Sequence, residues 1–477
     1  MQSREENTSL QELKTDGVVV GVYDDLTAQF GDLKKHLSIG KFEGKTGQKR
    51  LLFNVDGFKA PMIAAVGLGK KEELTEEDIR IAAANGVKLL RDNGAKTVGI
   101  TSLGNAKATA EGVFLGLYRF DELKTLNPDK RPTLDEIIFS GNASEIEDWL
   151  KGKIIAEAQN FARRLGELPS NVATPTFFVE ETIKAFKGVD NVKVKAYDEK
   201  WAEEQKMGAF LSVAKGSDEP AKFLVIEYEG SEKDQKPLAI VGKGITFDTG
   251  GISLKPSTNM GAMRGDCSGA AATIATILAI AKLGIPINAV GVAPLTENMP
   301  GGHATKPSDV VFASNGKSIE VDNTDAEGRM ILSDALVYTE KTYDPHTIID
   351  IATLTGAMMI ALGDHYIGTF TRSDDLWKEL EEAGKKAGEP FWRMPLDKKY
   401  RKQIESTIAD IKNTGGRPAG SITAAMFLGE FVERERWAHL DIAGMAWASS
   451  ESGYKPKGNL GVPVRALVEL ATKFQTN

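Results

Sequence analysis

An α/β protein of two domains, the N-terminal one smaller, is the fold class that the sequence predicts. Two observations carry it. Short β-rich segments alternate with helical patterns through both halves of the chain, the signature of α/β layering. A length of 477 residues also exceeds what a single hydrophobic core usually organises.

In chain order, residues 18–23, 50–55, 61–67, 97–101 and 136–140 read as strands, and 75–92 and 108–118 as helices. This alternation implies a largely parallel sheet. Val66-Gly-Leu-Gly-Lys70 holds a glycine pair of the kind found in ordinary turns, and the first third gathers no cluster of carboxylates or histidines and no phosphate loop. Residues 144–166 form one long amphipathic helix, closed by Glu167-Leu-Pro-Ser-Asn171, and the domain boundary is expected along it near residue 160. The two domains are then 1–160 and 161–477. After Thr174-Pro175 a further helical pattern opens the second domain, whose strands 223–229, 238–241, 287–292 and 347–351 again alternate with helices. No internal repeat or low-complexity segment is present.

The composition is that of a folded globular protein, 41% hydrophobic and 26% charged. The net charge of −8 without a long basic run disfavours nucleic acid or an anionic membrane as partner. Cys267 is the single cysteine, which excludes an internal disulfide and fits a reducing cytoplasm. Residues 1–14 lack the apolar core of a signal peptide, and the longest apolar stretch, 269–281, is too short to span a bilayer. A cytoplasmic protein is the expectation.

The most informative segment is Asp322-Asn-Thr-Asp-Ala-Glu-Gly-Arg-Met330. Asp325 and Glu327 stand two apart, so in a helix they would point to nearly opposite faces. Both can serve one site only from a turn at a helix start, and the apolar period beginning at Met330 places that start here. Two carboxylates beside Arg329 suit a divalent metal with an oxyanion, against the plainer reading of a solvated, capped turn. A second constellation follows the strand at 238–241, where Lys243 lies between glycines, Asp248 precedes a Gly-Gly pair, and Lys255 follows. Open α/β sheets bind ligands beyond the carboxyl ends of their strands, where this loop belongs. Asp266, just before the helix 270–283, reads in isolation as an N-cap.

Gly265-Asp-Cys-Ser-Gly269 imitates a nucleophile elbow, but no strand feeds it, which argues against a nucleophilic Cys267. Asp248-Thr-Gly250 has no second carboxylate copy, since Asn413-Thr-Gly415 lacks one, and this argues against an aspartic peptidase. The five histidines are scattered, without the spacing of a His-Glu-x-x-His zinc site. Asp248, Asp266, Asp325 and Glu327 are carboxylates without a histidine or cysteine cluster, a set that favours oxygen-ligated divalent cations. Two dications would balance their four charges, and Lys255 and Arg329 would add positive charge for an oxyanion.

Val241-Gly-Lys-Gly-Ile-Thr-Phe-Asp-Thr-Gly-Gly-Ile-Ser-Leu-Lys-Pro256 and Asn323-Thr-Asp-Ala-Glu-Gly-Arg-Met330 together resemble the two signatures of the leucyl aminopeptidase family, the cytosol aminopeptidases. The resemblance extends through Thr353-Leu-Thr-Gly356, Ala419-Gly-Ser-Ile-Thr-Ala-Ala425 and His439-Leu-Asp-Ile-Ala-Gly444. In the first domain it is weaker, resting on Glu111-Gly112 and Tyr118-Arg-Phe-Asp121. It implies a catalytic domain with a mixed central sheet flanked by helices. It also implies an aminopeptidase that releases N-terminal residues, leucine-like ones preferred, from peptides with two divalent ions, Mn2+ or Zn2+.

On that resemblance Asp248 and Glu327 bridge the ions, Asp325 completes the more exchangeable site, and Lys243 and Asp266 complete the tighter one. Lys255 polarises the scissile carbonyl, and Arg329 holds a bicarbonate-like anion that shuttles protons. Met263, Thr353, Leu354 and Gly356 receive the substrate. The assembly expected is a homohexamer. Departures from the family pattern are few: Thr249 stands where serine is common, Arg264 where lysine is common, and Cys267 where methionine is frequent. None removes an implied ligand. A DNA-binding regulator acting through the first domain is the alternative, disfavoured because Arg80, Lys88 and Arg91 on the helix at 75–92 are offset by Glu76, Glu77, Asp78 and Asp92.

Overall fold

The computed structural model describes residues 2–38, 40–126 and 131–474. It divides into two compact units, Met1–Asn160 with Ser449–Lys457, and Phe161–Ala448 with Gly458–Asn477.

The first unit is built on a six-stranded sheet in the order Gln2–Glu6, Glu136–Ser140, Thr97–Ile100, Gly17–Tyr23, Met62–Gly69, Lys49–Phe53. Every neighbouring pair is parallel except the last, which is antiparallel. The edge strand Gln2–Glu6 was not legible as a strand because its residues are polar and partly exposed, as is usual where a sheet meets water. The expected turn at 66–70 is the end of strand Met62–Gly69. Helix Glu76–Asp92 begins with a capping box in which Thr75 and Asp78 satisfy each other's backbone. Its Ile79, Ala83, Val87 and Leu90 are buried in the core of the unit, together with Trp149, stacked on Phe139 at 4.5 Å.

The basic residues of that helix are spent internally. Arg80 is buried and pairs with Glu111 at 2.5 Å and with Glu76 and Glu77, while Lys88 pairs with Glu451 and donates to the Gly453 carbonyl at 2.7 Å. The second of these contacts comes from Ser449–Lys457, so the range 161–477 expected as one domain is interrupted. Tyr454 of this segment is buried in the first unit's core and its hydroxyl donates to Glu77 at 2.9 Å. An apolar ring with a satisfied hydroxyl can bury itself at little cost, and no local pattern in the sequence announces it.

The second unit carries a nine-stranded mixed sheet. Along its main path the order is Phe391–Arg393, Ile367–Thr371, Trp437–Asp441, Thr347–Ala352, Leu238–Gly242, Asn288–Asn298, Lys222–Glu229, Val192–Tyr197. The four central strands run parallel. Gly244–Asp248 pairs in parallel with the far end of Asn288–Asn298, Asp248 lying opposite Asn298. All these strands therefore deliver their carboxyl ends to one edge, and each ends at a polar residue: Lys243 follows the first, and Asp248, Asn298, Thr353 and Asp441 end or follow the others.

Helix Ser268–Lys282 starts at the same edge and is buried along all but its last two residues. Its tight approach depends on Gly269, where a Cβ would lie 2.1 Å from the Ile351 carbonyl oxygen and 2.8 Å from the Lys243 nitrogen. The backbone there is already committed, since Lys243 N donates to Ile351 O at 2.9 Å and Ala270 N to Lys243 O at 2.8 Å. Among the described residues no helix is long and apolar enough to cross a membrane. Gly269→Ala should overpack this junction, costing about 1–3 kcal/mol, and a thermal melt should show a lowered Tm; an unchanged melt would contradict the packing described.

Candidate active site

Six charged side chains meet at this edge. Lys243 Nζ lies 2.8 Å from Asp266 Oδ2 and 2.8 Å from Glu327 Oε1, and donates to the Thr353 carbonyl at 3.0 Å. Lys255 Nζ lies 2.8 Å from Asp248 Oδ2 and 2.5 Å from Asp325 Oδ1. Two ammonium groups thus alternate with four carboxylates. Carboxylate oxygens of Asp248, Asp325 and Glu327 all fall within 4.8 Å of one another, a spacing that a metal ion can span.

Local structure explains how each arrives. Asp248 ends its strand, and Gly250 and Gly251 follow in the left-handed region (φ 88° and 65°), so the chain turns back at once and brings Lys255 to the same carboxylate. Asp325 sits in the turn before helix Glu327–Tyr343, and Glu327 is its first residue, the arrangement expected from their two-residue spacing. Gly328 is needed there because a Cβ would lie 2.8 Å from Lys243 Nζ. Asp266 differs from its reading as an N-cap. A 3-10 segment, Met260–Cys267, intervenes, helix Ser268–Lys282 has no side-chain cap, and Asp266 Oδ1 instead accepts from Thr353 Oγ1 at 2.6 Å. The 3-10 turn places the Asp266 carboxylate against Lys243 and Thr353 instead of on the helix N-terminus.

The electrostatics are those of a carboxylate excess. Burial, reinforced by the charge of Asp248, pushes Glu327 up to about 8. Burial also raises Asp266 and Asp325, against the pull of Lys243 and Lys255. Burial alone would favour a neutral Lys243, yet the charges of Asp266, Glu327 and Asp248 outweigh it and hold the ammonium well above the ordinary lysine range. Lys255 is held up in the same way, chiefly by Asp248. Glu327 Oε2 is buried with no hydrogen-bond partner. An orphaned carboxylate oxygen beside two other acids is a donor set that suits a hard or borderline dication.

Arg329 lies behind this cluster. Its Nη1 donates to the Asn413 carbonyl at 2.7 Å, and its Nε is buried without a partner. Burial lowers its guanidinium to about 10, so it stays charged at neutral pH. Thr353 joins the network through both its hydroxyl and its carbonyl, and Leu354 adjoins it with its N–H on Asp441 at 3.2 Å. Half-buried Met263 and exposed Gly356 stand on the flanking segments without a polar role. Cys267 is buried and its thiol is pushed up to about 12 by burial, which leaves no reactive thiolate.

Three polar residues escaped sequence reasoning. Asn298 Nδ2 donates to Asp248 Oδ1 at 2.8 Å and to the Thr324 carbonyl at 3.1 Å, tying two acid-bearing loops together. Asn413 Oδ1 accepts from the backbone of Asp322 and Asn323, and its Nδ2 donates to the Asn323 carbonyl at 2.7 Å. Asp441, fully buried, pins the loop after Thr353. The one signal available was a polar residue closing an apolar run, as in Trp437-Ala-His-Leu-Asp441.

Comparison with known proteins gives the chain its relatives. The chain matches the catalytic domain of the cytosol aminopeptidase family over residues 160–468 and that family's N-terminal domain over 11–127. It is 46% identical to a cytosol aminopeptidase of Dictyostelium discoideum, covering 96% of this chain and 93% of that protein. The human cytosol aminopeptidase is 45% identical with the same coverage. Among solved structures, the bottromycin maturation enzyme BotP in complex with Mn superposes with a TM-score of 0.87 at 33% identity, covering 96% of this chain and 99% of that one. A mutant of tomato leucine aminopeptidase gives 0.87 at 30% identity, covering 99% and 97%. These matches lend no support to a DNA-binding regulator. With both family domains present along its length and a buried carboxylate–lysine centre at its sheet edge, the chain belongs to the cytosol aminopeptidase family of metallo-aminopeptidases.

Proposed function

We propose that the protein releases N-terminal amino acids, leucine-like ones preferred, from peptides by two-metal-assisted hydrolysis. The observation that carries the proposal is the excess of buried carboxylate around Glu327, whose Oε2 has no partner and whose carboxyl is raised despite an adjacent lysine. In this reading Asp248 and Glu327 would serve both ions, Asp325 one of them, and Lys243 with Asp266 the other. Two divalent ions, manganese or zinc, would supply Lewis acidity and activate water there.

The chain's own residues do the rest. Lys243 serves as a ligand only as a neutral amine, so its ammonium and a cation exclude each other between Asp266 and Glu327. Lys255 stays an ammonium, held by Asp248 and Asp325 and one-fifth exposed (21%), and polarises the scissile carbonyl. Arg329, buried and charged, presents an unpartnered Nε that would hold a bicarbonate-like anion, which would supply proton transfer in place of a histidine base. Thr353, Leu354, Gly356 and Met263 receive the amino end and first side chain of the peptide. The assembly is a homohexamer, supported by apolar side chains left exposed on the catalytic unit, among them Ile360 at 87% and Trp392 at 53%. The compartment is the cytoplasm, in keeping with the relatives' description and with a lone, buried cysteine.

Stripping the protein with a chelator should abolish hydrolysis of leucyl amide, and manganese or zinc added singly should restore it. Across a panel of aminoacyl amides the leucyl one should be preferred. Asp325→Ala and Glu327→Ala should lose hydrolysis and bound metal with the circular dichroism of the wild type, and substantial activity in both would sink the assignment. Lys255→Ala should cut turnover by about 10²–10³-fold at unchanged metal content; parallel loss of metal would make Lys255 a structural counter-ion. Light scattering should return six times the 51.6 kDa chain mass, and a monomer would refute the hexamer.

A further inference from the structure

The parallel ladder between Trp437–Asp441 and Thr347–Ala352 runs out at the pair Asp441 and Ala352. Beyond it the chain turns through Thr353, Leu354 and Thr355, outside the ladder, before helix Gly356–Leu362. Asp441 takes over that role. Its Oδ1 accepts from Leu354 N at 3.2 Å and from Ala443 N at 3.2 Å, and its Oδ2 accepts from Thr355 Oγ1 at 2.6 Å. Thr355 in turn caps the helix, accepting from Met358 N at 3.1 Å.

The Leu354 N–H shares a peptide plane with the Thr353 carbonyl, and that carbonyl accepts from Lys243 Nζ at 3.0 Å. One peptide group is therefore held from both sides, by a carboxylate at its N–H and by an ammonium at its oxygen. A trans peptide keeps these two on opposite edges, so the plane cannot rotate without breaking one of them. Bonds at both ends of a polarisable amide also strengthen each other. The Thr353 side chain adds a third restraint on Asp266. Asp441 is fully buried, and the groups it accepts from, Leu354 N, Ala443 N and Thr355 Oγ1, belong to the neighbouring loops and not to the acid cluster.

We propose that Asp441 is a positioning residue for peptide hydrolysis: through the Thr353–Leu354 peptide group it sets the backbone on which the substrate's first residue is received, and thereby governs substrate affinity and discrimination. The proposal rests on the reading that residues 353–356 contact the substrate. It assigns Asp441 an effect on KM that is separable from metal retention, because the side chain restrains the loop and not the carboxylates.

The test uses the full-length, manganese-loaded protein. Asp441→Ala should raise KM for leucyl amide about 10-fold or more, the loss expected of charge-assisted bonds to a buried loop. Its kcat should stay within about threefold, its manganese stoichiometry should match wild type, and the preference for leucyl over alanyl amide should shrink. Asp441→Asn keeps an acceptor for the Leu354 N–H and should restore KM to within about threefold of wild type. Hydrogen exchange supplies a readout independent of turnover. In Asp441→Ala a peptide spanning 353–358 should exchange about 10-fold faster or more, and one spanning 321–333 should not change. Should Asp441→Ala fail to fold, Thr355→Val removes the hydroxyl from the other side, and KM should rise several-fold. An Asp441→Ala protein with wild-type KM, discrimination and exchange overturns the proposal, as does a fall confined to kcat or a Thr355→Val protein with wild-type KM. If the wild-type protein hydrolyses no amide at all, the functional reading fails, while the exchange measurement still decides whether Asp441 holds the loop.

Discussion

The structure of the catalytic unit turns on a surplus of buried negative charge at one edge of a sheet. Four carboxylates are brought within reach of one another, and burying even one ionised carboxylate without a partner costs several kcal/mol. Lys243 and Lys255 offset part of that cost by alternating with the acids. What they leave over is visible in the raised carboxyl groups of Glu327, Asp266 and Asp325. A fold selected for stability alone would have replaced such a cluster with apolar residues of similar volume. Such a surplus of buried carboxylate is complementary to bound cations.

Keeping that cluster in register falls to neutral or remote groups. Asn298 joins the Asp248 loop to the Thr324 turn, and Asn413 braces Asp322 and Asn323 from its side chain while offering Arg329 its carbonyl. Amides suit this work because they donate and accept without adding charge to a site already overcharged. Glycine serves the same end by omission. Gly269 lets a helix start against the strand ends, and Gly328 leaves room for the Lys243 side chain, so both positions are dictated by approach distance.

Legibility followed the range of the interactions involved. The α/β class, the parallel strands of the first unit and the helix at 144–166 were readable because each leaves a periodic trace within a short window, and helix Ala143–Glu167 matches that trace closely. Strand Gln2–Glu6 left none, being polar and at an edge. Asp325 and Glu327 were readable because two-residue spacing at a helix start has few structural solutions. Asp266 read as a cap because its partners, Lys243 and Thr353, lie about twenty and ninety residues away in the chain. The grouping of Ser449–Lys457 with the first unit left no local trace for a related reason, since Tyr454 finds its core only in three dimensions.

By itself the sequence determined which residue types are present and where local conformation leaves little choice: a turn carrying Asp325 and Glu327 before the apolar period that begins at Met330, a Gly-Gly pair after Asp248, and a lysine, Lys243, between glycines. Motif resemblance added the chemistry those residues could perform. Only the tertiary structure decided that the loops after several separate strands end at the same edge, which side chains share a proton field there, and that one peptide group is gripped between Lys243 and Asp441. The physical reason is that strand order and register are set by long-range packing of buried apolar faces. Charge placement inherits that register and leaves no mark of its own in the sequence.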